Sequence, residues 1–185
     1  MNRFLAALAL LSSLYTVAGC ASHSGTACCA GDSQPSATAS NQAPLLDKVK
    51  ALAGTWEMTD EHGQKQTAAV FTVSSSGTAV REVMFPGTPH EMTNMYTMDG
   101  SSLLMTHYCA IGNQPHMKAA AAKSSPDRIE LKCDSVTNKS SSGQMYMGDL
   151  TIVFKDANHI TEQWQSYQNG KPTDHNPGFE LTRKN

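Results

Sequence analysis

The residue types most capable of chemistry in this chain gather between Pro89 and Met117, in the run PHEMTNMYTMDGSSLLMTHYCAIGNQPHM. Asp99-Gly100 is a hairpin-turn signal. An even-length turn there sets His90, Met92, Asn94 and Tyr96 beside Leu103, Met105, His107 and Cys109 on one face of a two-stranded unit, whereas an odd turn scatters them. If that face points inward, imidazole, amide, phenol and thiol groups are buried together. They then form a hydrogen-bonded network or a binding site, because unpaired polar groups are costly to bury. Glu82, on the preceding strand with Val80 and Met84, joins the same set, and so does Trp164, which alternates with Ile160 and Glu162.

Each of these residues also has a plainer reading. His90 follows a Pro-Gly-Thr-Pro turn and fits a solvated rim as well as a pocket; His107 between apolar neighbours fits a satisfied core histidine. Cys109 fits a small buried hydrophobe, Glu82 an outward partner of Arg81, and Tyr96 and Trp164 simple packing. His90, His107, Cys109 and His116 have the donor types for zinc or copper, but their spacing matches no ligand motif. A Gly-x-Ser-x-Gly elbow, a glycine-rich phosphate loop and a locatable carboxylate pair are all missing from the sequence. A binding role rather than an enzymatic one is expected.

The elements that must position these residues are strands. Alternating runs bounded by Gly, Asp, Asn and Ser recur, and long amphipathic helical repeats do not, so the fold class is all-β and antiparallel. After a short amphipathic segment, Leu45 to Leu52, turn punctuation marks about ten strands: 55–60, 65–74, 78–85, 90–98, 102–110, 116–122, 128–136, 145–155, 159–168 and 178–184. Short connections between so many strands favour an up-and-down barrel, which removes exposed edges and leaves an interior for side chains or one small ligand. Alternation puts Ile129, Leu131 and Cys133 inside, with Arg128, Glu130, Lys132 and Asp134 outside. The strand around Met117 separates Cys109 from Cys133 by two strand spacings, roughly 9 to 10 Å, beyond disulfide reach. Both thiols are expected to be free.

The chain divides into 1–19, 20–43 and 44–185. Residues 1–19 carry Arg3 and then an apolar run from Phe4 to Val17, too short to span a bilayer and flanked like a secretory signal. The run ends in Val17-Ala18-Gly19-Cys20, which resembles the bacterial lipobox and implies lipidation at Cys20; Ala21 after it implies sorting to the outer membrane of a cell envelope. Residues 20–43 are Ser, Ala, Thr, Gly, Gln and Asn with few large apolar side chains, the composition of a flexible tether. Cys28-Cys29 within it read as incidental thiols. A net charge of -2 and no Lys/Arg run argue against a nucleic-acid partner.

Gly54-Thr55-Trp56 after the short helix, with Phe179-Glu180-Leu181-Thr182-Arg183 at the other end, resembles the lipocalin-like barrels. That resemblance implies that Trp56 packs at the closed end under Arg183, a structural cation–π pair. The chain looks most like uncharacterised bacterial lipocalin-like proteins and more distantly like nitrobindin. Glu57-Met58-Thr59 replaces the glycines that follow the tryptophan in nitrobindins, and neither His159 nor His175 matches their haem ligand by motif, so haem binding is not implied. The leading expectation is a lipid-anchored barrel binding a small, partly apolar ligand. The alternatives are a haem or metal protein using His107 or its neighbours, and a structural module with a filled interior. Replacing the lipidated residue, Cys20→Ala, is expected to release the protein from membranes; unchanged fractionation would sink the anchor.

Overall fold

Ten strands of this chain close on themselves, and the reason lies in their two-sidedness. The computed structural model describes residues 44–120 and 125–185. The expected signal segment, the Cys20 lipidation site and the tether with Cys28-Cys29 lie outside the described residues. A short helix α1 (Pro44–Lys50) precedes β1 (Gly54–Thr59), β2 (Lys65–Ser74), β3 (Ala79–Met84), β4 (Met92–Asp99), β5 (Ser102–Tyr108), β6 (Gln114–Ala120), β7 (Arg128–Thr137), β8 (Tyr146–Phe154), β9 (His159–Gln168), a two-residue β10 (Lys171–Pro172) and β11 (Gly178–Arg183). Neighbours in sequence pair antiparallel. β9 pairs with both β8 and β11, and β11 pairs with β1, so the barrel is closed. β10 is a minor addition that pairs only with β9.

Strand ends differ from the sequence expectation at the places that carry interest. His90 lies outside β4, because a turn built on Thr88 N–H to Phe85 O (3.2 Å) and Glu91 N–H to Thr88 O (3.1 Å) delays the strand to Met92. Cys109 falls just past β5, where its N–H bonds to Asn113 O (3.1 Å) and the chain turns. β6 starts at Gln114 instead of His116.

The Asp99-Gly100 turn is even. Asp99 pairs with Ser102 across a two-residue loop, which sets Asn94 opposite His107 and Tyr96 opposite Met105. Gly100, at φ 57°, takes the left-handed conformation the turn needs. Cys109 and Cys133 are both free thiols, with β6 between their strands as expected. Cys133 is only half-buried, whereas Ile129 and Leu131 on the same strand are fully buried.

One end of the barrel is shut by α1. Pro44 begins it, a residue suited to the first helical position, and Leu45, Leu46 and Val49 face the core with Leu52. Trp56 is fully buried beneath, donating from Nε1 to Leu52 O (2.8 Å). Arg183, its partner in register, places its guanidinium 4.4 Å from the ring centroid. The same guanidinium donates to Ala53 O (2.7 Å), Ala51 O (2.8 Å) and Ala157 O (3.1 Å). It therefore ties the helix-to-β1 link and the β8–β9 turn to the last strand. Gly54, at φ 130°, admits this: a Cβ there would sit 3.1 Å from the guanidinium nitrogen. Because charged hydrogen bonds contribute about 1.5–3 kcal/mol each before solvent screening, Arg183→Met is expected to destabilise the fold by about 2–3 kcal/mol. Urea denaturation should show the loss as a lower midpoint, and an unchanged midpoint would contradict the role given to Arg183.

Candidate functional site

The even turn brings most of the anticipated residues together, in two layers. The inner layer is a hydrogen-bonded chain with no access to solvent. Glu82 from β3, Asn94 and Tyr96 from β4, and Glu162 from β9 are 0–1 % exposed, and His107 from β5 is 1 % exposed. Glu82 Oε2 accepts from the Asn94 amide (2.7 Å) and from the Tyr96 hydroxyl (2.7 Å). Asn94 Oδ1 faces His107 Nδ1 at 2.7 Å. Glu162 Oε2 accepts weakly from Trp164 Nε1 (3.4 Å).

The two carboxyls meet inside the barrel, on strands that are not neighbours. No cation lies among the groups that shift either of them. Each leaves its Oε1 without a donor. A proton held by Glu162 and shared with Glu82 satisfies both, the usual answer to two carboxylates in one site. Burial, and then the charge of Glu82, push the Glu162 pKa well above the ordinary carboxyl value. Burial raises Glu82 as well, but donors from Asn94, Tyr96 and Glu162 favour its charged form. The Tyr96 phenol is driven up by burial and by both carboxyls, so it stays a donor.

The chain of donors fixes the state of His107. Asn94 spends its NH₂ on Glu82, so its oxygen must accept from His107. Nδ1 therefore carries the proton, and Nε2 presents a lone pair. Burial pulls the imidazole down to about 4, so the ring is neutral at pH 7. Nε2 has no partner.

The outer layer is a cavity of about 520 Å³ at the end opposite α1. Met58, Met84, Met92, Met145 and Met147 line it with Phe85, Phe179 and Trp164; His107 forms part of its wall, its ring centroid 4.9 Å from that of Trp164. His90 and His175, both exposed, stand at the mouth with half-exposed Ile111. Cys109 lines the cavity half-buried, and burial raises its thiol. No Lys, Arg, Asp or Glu is among the lining residues.

Of the sequence-predicted set, then, His107, Cys109 and Trp164 border the cavity, His90 sits at its rim apart from the network, and Glu82, Asn94 and Tyr96 lie behind its wall. Glu162 was anticipated as inward-facing but not as a site residue; its place between Ile160 and Trp164 in a period-two run is the signal that marks it. The Gly112-Asn113-Gln114 turn does more than connect strands. Asn113 Nδ2 donates to Met145 O (2.9 Å), Gln114 Nε2 and Asn138 Nδ2 to Gly112 O (2.9 and 2.6 Å), and Gln144 Nε2 to Ile111 O (3.1 Å). These amides hold the mouth loop in place. Ser166 Oγ similarly anchors the loop of His175 through that residue's carbonyl (2.6 Å).

A metal finds no convergent donor set. Among the described residues no three His, Cys, Asp or Glu side chains are grouped to hold an ion, and His116 is on the outer face between Thr106 (3.0 Å) and Thr137 (3.1 Å). Haem on His107 fits poorly too. A macrocycle needs an open hemisphere about the ligating nitrogen, and Nε2 is enclosed.

The barrel is similar to the crystal structure of Rv2717c from M. tuberculosis, with a TM-score of 0.54 and 14% identity, over 78% of this chain and 100% of that one. At that identity the likeness concerns the fold. No family model matches the chain, and no curated protein matches it.

The network sets a two-sided pH dependence. Glu162 keeps its proton in the folded state at pH values where the unfolded chain has released it, so stability is lost as pH rises from about 4.5 toward its elevated value. His107 has the opposite sign. The unfolded ring binds a proton below pH 6.5 that the folded ring refuses until about 4, which removes roughly 3 kcal/mol across that window. Burial raises Glu82 in the same direction, so Glu162→Gln, which keeps a donor toward Glu82, is expected to lessen the alkaline decline and leave the acid one. Thermal melts from pH 5 to 9 test this, and parallel alkaline declines in both proteins would refute the shared proton.

Proposed function

We propose that this protein is a lipoprotein of the bacterial cell envelope, anchored through Cys20 and binding a small, partly apolar molecule inside its barrel. The observation that carries the reading is the 520 Å³ cavity, lined by methionines and aromatic rings with the His107 ring in its wall. A structural module would fill such a space, since interiors pack closely and each void forfeits contacts. Ligand sites have the opposite character, a mostly apolar wall with a few placed polar groups. The methionine and aromatic wall with His107 set into it has that character.

The architecture resembles that of lipocalin-like carriers, and the Trp56–Arg183 closure is of the kind that resemblance implies. No helix among the described residues is long and apolar enough to cross a membrane, and in this reading the lipid on Cys20 is the attachment. No nucleic-acid partner and no catalytic role belong to it.

Native mass spectrometry of protein extracted from its own membranes tests the proposal. The expected spectrum shows a non-covalent adduct that is lost on denaturation, distinct from the covalent lipid. Protein that is adduct-free in every preparation, and that takes up no added apolar probe, would return the barrel to the structural reading.

A further inference from the structure

Met84 and Phe85 are consecutive, yet both line the cavity. A regular strand forbids this, because neighbouring side chains point to opposite faces. Glu82 and Met84 both meet the Asn94 amide and so face inward, which would turn Phe85 outward if β3 simply continued. Phe85 instead leaves the strand at φ 48°, in the left-handed region that bulky side chains avoid. It also precedes Pro86, and a residue before proline is ordinarily extended.

This conformation is held on both sides of the residue. Phe85 N–H donates to Ala68 O (2.8 Å), and Phe85 O accepts from the N–H (3.2 Å) and the hydroxyl (2.8 Å) of Thr88. The ring, swung into the wall, meets that of Phe179 edge-on, with centroids 5.2 Å apart. Strained backbone persists where its surroundings over-determine it, and it clusters at ligand sites. Here its product is one more aromatic ring on the cavity.

We propose, on the carrier reading given above, that the cavity is a site for small aromatic compounds, and that Phe85 sets the preference for them over saturated rings and chains.

The rest of the wall has the matching chemistry. Elsewhere the interior is filled by branched aliphatics such as Leu103, Ile129, Leu131, Leu150 and Ile152. In the cavity, Ile111, half-exposed at the rim, is the only branched aliphatic among the described lining residues; thioethers, Phe85, Phe179 and Trp164 take the place of the others. Aromatic rings attract one another edge to face through their quadrupoles, and sulfur is favourable at a ring edge. A saturated guest has neither contribution and gains from area burial alone. The volume of about 520 Å³ suits a compact fused-ring system.

Headspace partitioning in sealed vials over the purified full chain compares three probes of equal carbon number: naphthalene, decahydronaphthalene and n-decane. Partition out of water by itself favours the two saturated compounds. The expected order is the reverse, with naphthalene bound about fivefold tighter than either. Phe85→Leu keeps apolar bulk without the ring; it should weaken naphthalene about fivefold and leave decahydronaphthalene unchanged, which also reports an intact cavity. Phe85→Tyr, which restores a ring, should keep the preference. A wild-type order that follows partition from water, or a preference that survives Phe85→Leu, would overturn the inference and leave the carrier reading standing. If none of the three binds, the carrier reading fails and the inference with it.

Discussion

Two carboxyl groups sealed inside a barrel without a cation constrain everything near them. Burying a charge is expensive unless donors compensate it, and Glu82 and Glu162 divide the problem by keeping one proton between them. The remaining charge, on Glu82, takes a phenol and an amide as donors. From there the consequences propagate outward. An amide has one acceptor end, so the imidazole that meets it must donate, and the imidazole's other nitrogen must not. Each step removes a choice at the next, and the last one reaches the cavity wall.

The barrel separates this chemistry from its own maintenance. At the shut end, α1, Trp56 and Arg183 combine apolar burial with charged donors to backbone carbonyls, and nothing there is open to a ligand. The mouth end is held differently. Amide side chains from Asn113, Gln114, Asn138 and Gln144 bind loop carbonyls one at a time, so loop shape is kept without an apolar plug that would fill the space. Strand closure joins the two ends and lets inward-facing residues from β3, β4, β5 and β9 meet although they are far apart in sequence.

How much of this was legible from the residues depended on the range of the contact. Period-two alternation reveals which side chains of one strand share a face, so Ile129 with Leu131, Ile160 with Trp164 and the Asn94–Tyr96 face are readable in advance. The register across Asp99-Gly100 follows from a local turn rule, and the structure has the even case. The Trp56–Arg183 pair was visible only through resemblance to known barrels. The meeting of Glu82 with Glu162 was not visible at all, because nothing local encodes which non-adjacent strands face each other across a closed sheet. His90 was placed on a strand because the alternation can be extended back to it; the Phe85–Glu91 turn overrides that extension with its own hydrogen bonds. For the same reason the loop at Gly112-Asn113 looked like mere punctuation, since its partners Asn138 and Gln144 come from the far side of β7.

The methionine wall has a consequence of another kind. Thioether side chains are unbranched and polarizable, so the wall formed by Met58, Met84, Met92, Met145 and Met147 can change its outline while the imidazole, held by Asn94, stays fixed. They are also the side chains whose polarity can change after synthesis. Oxidation to the sulfoxide would set strong new acceptors in the wall and make an apolar surface polar. The wall's polarity is thus open to chemical change that leaves the hydrogen-bonded frame of the barrel untouched, and enzymatic reduction of the sulfoxides reverses it.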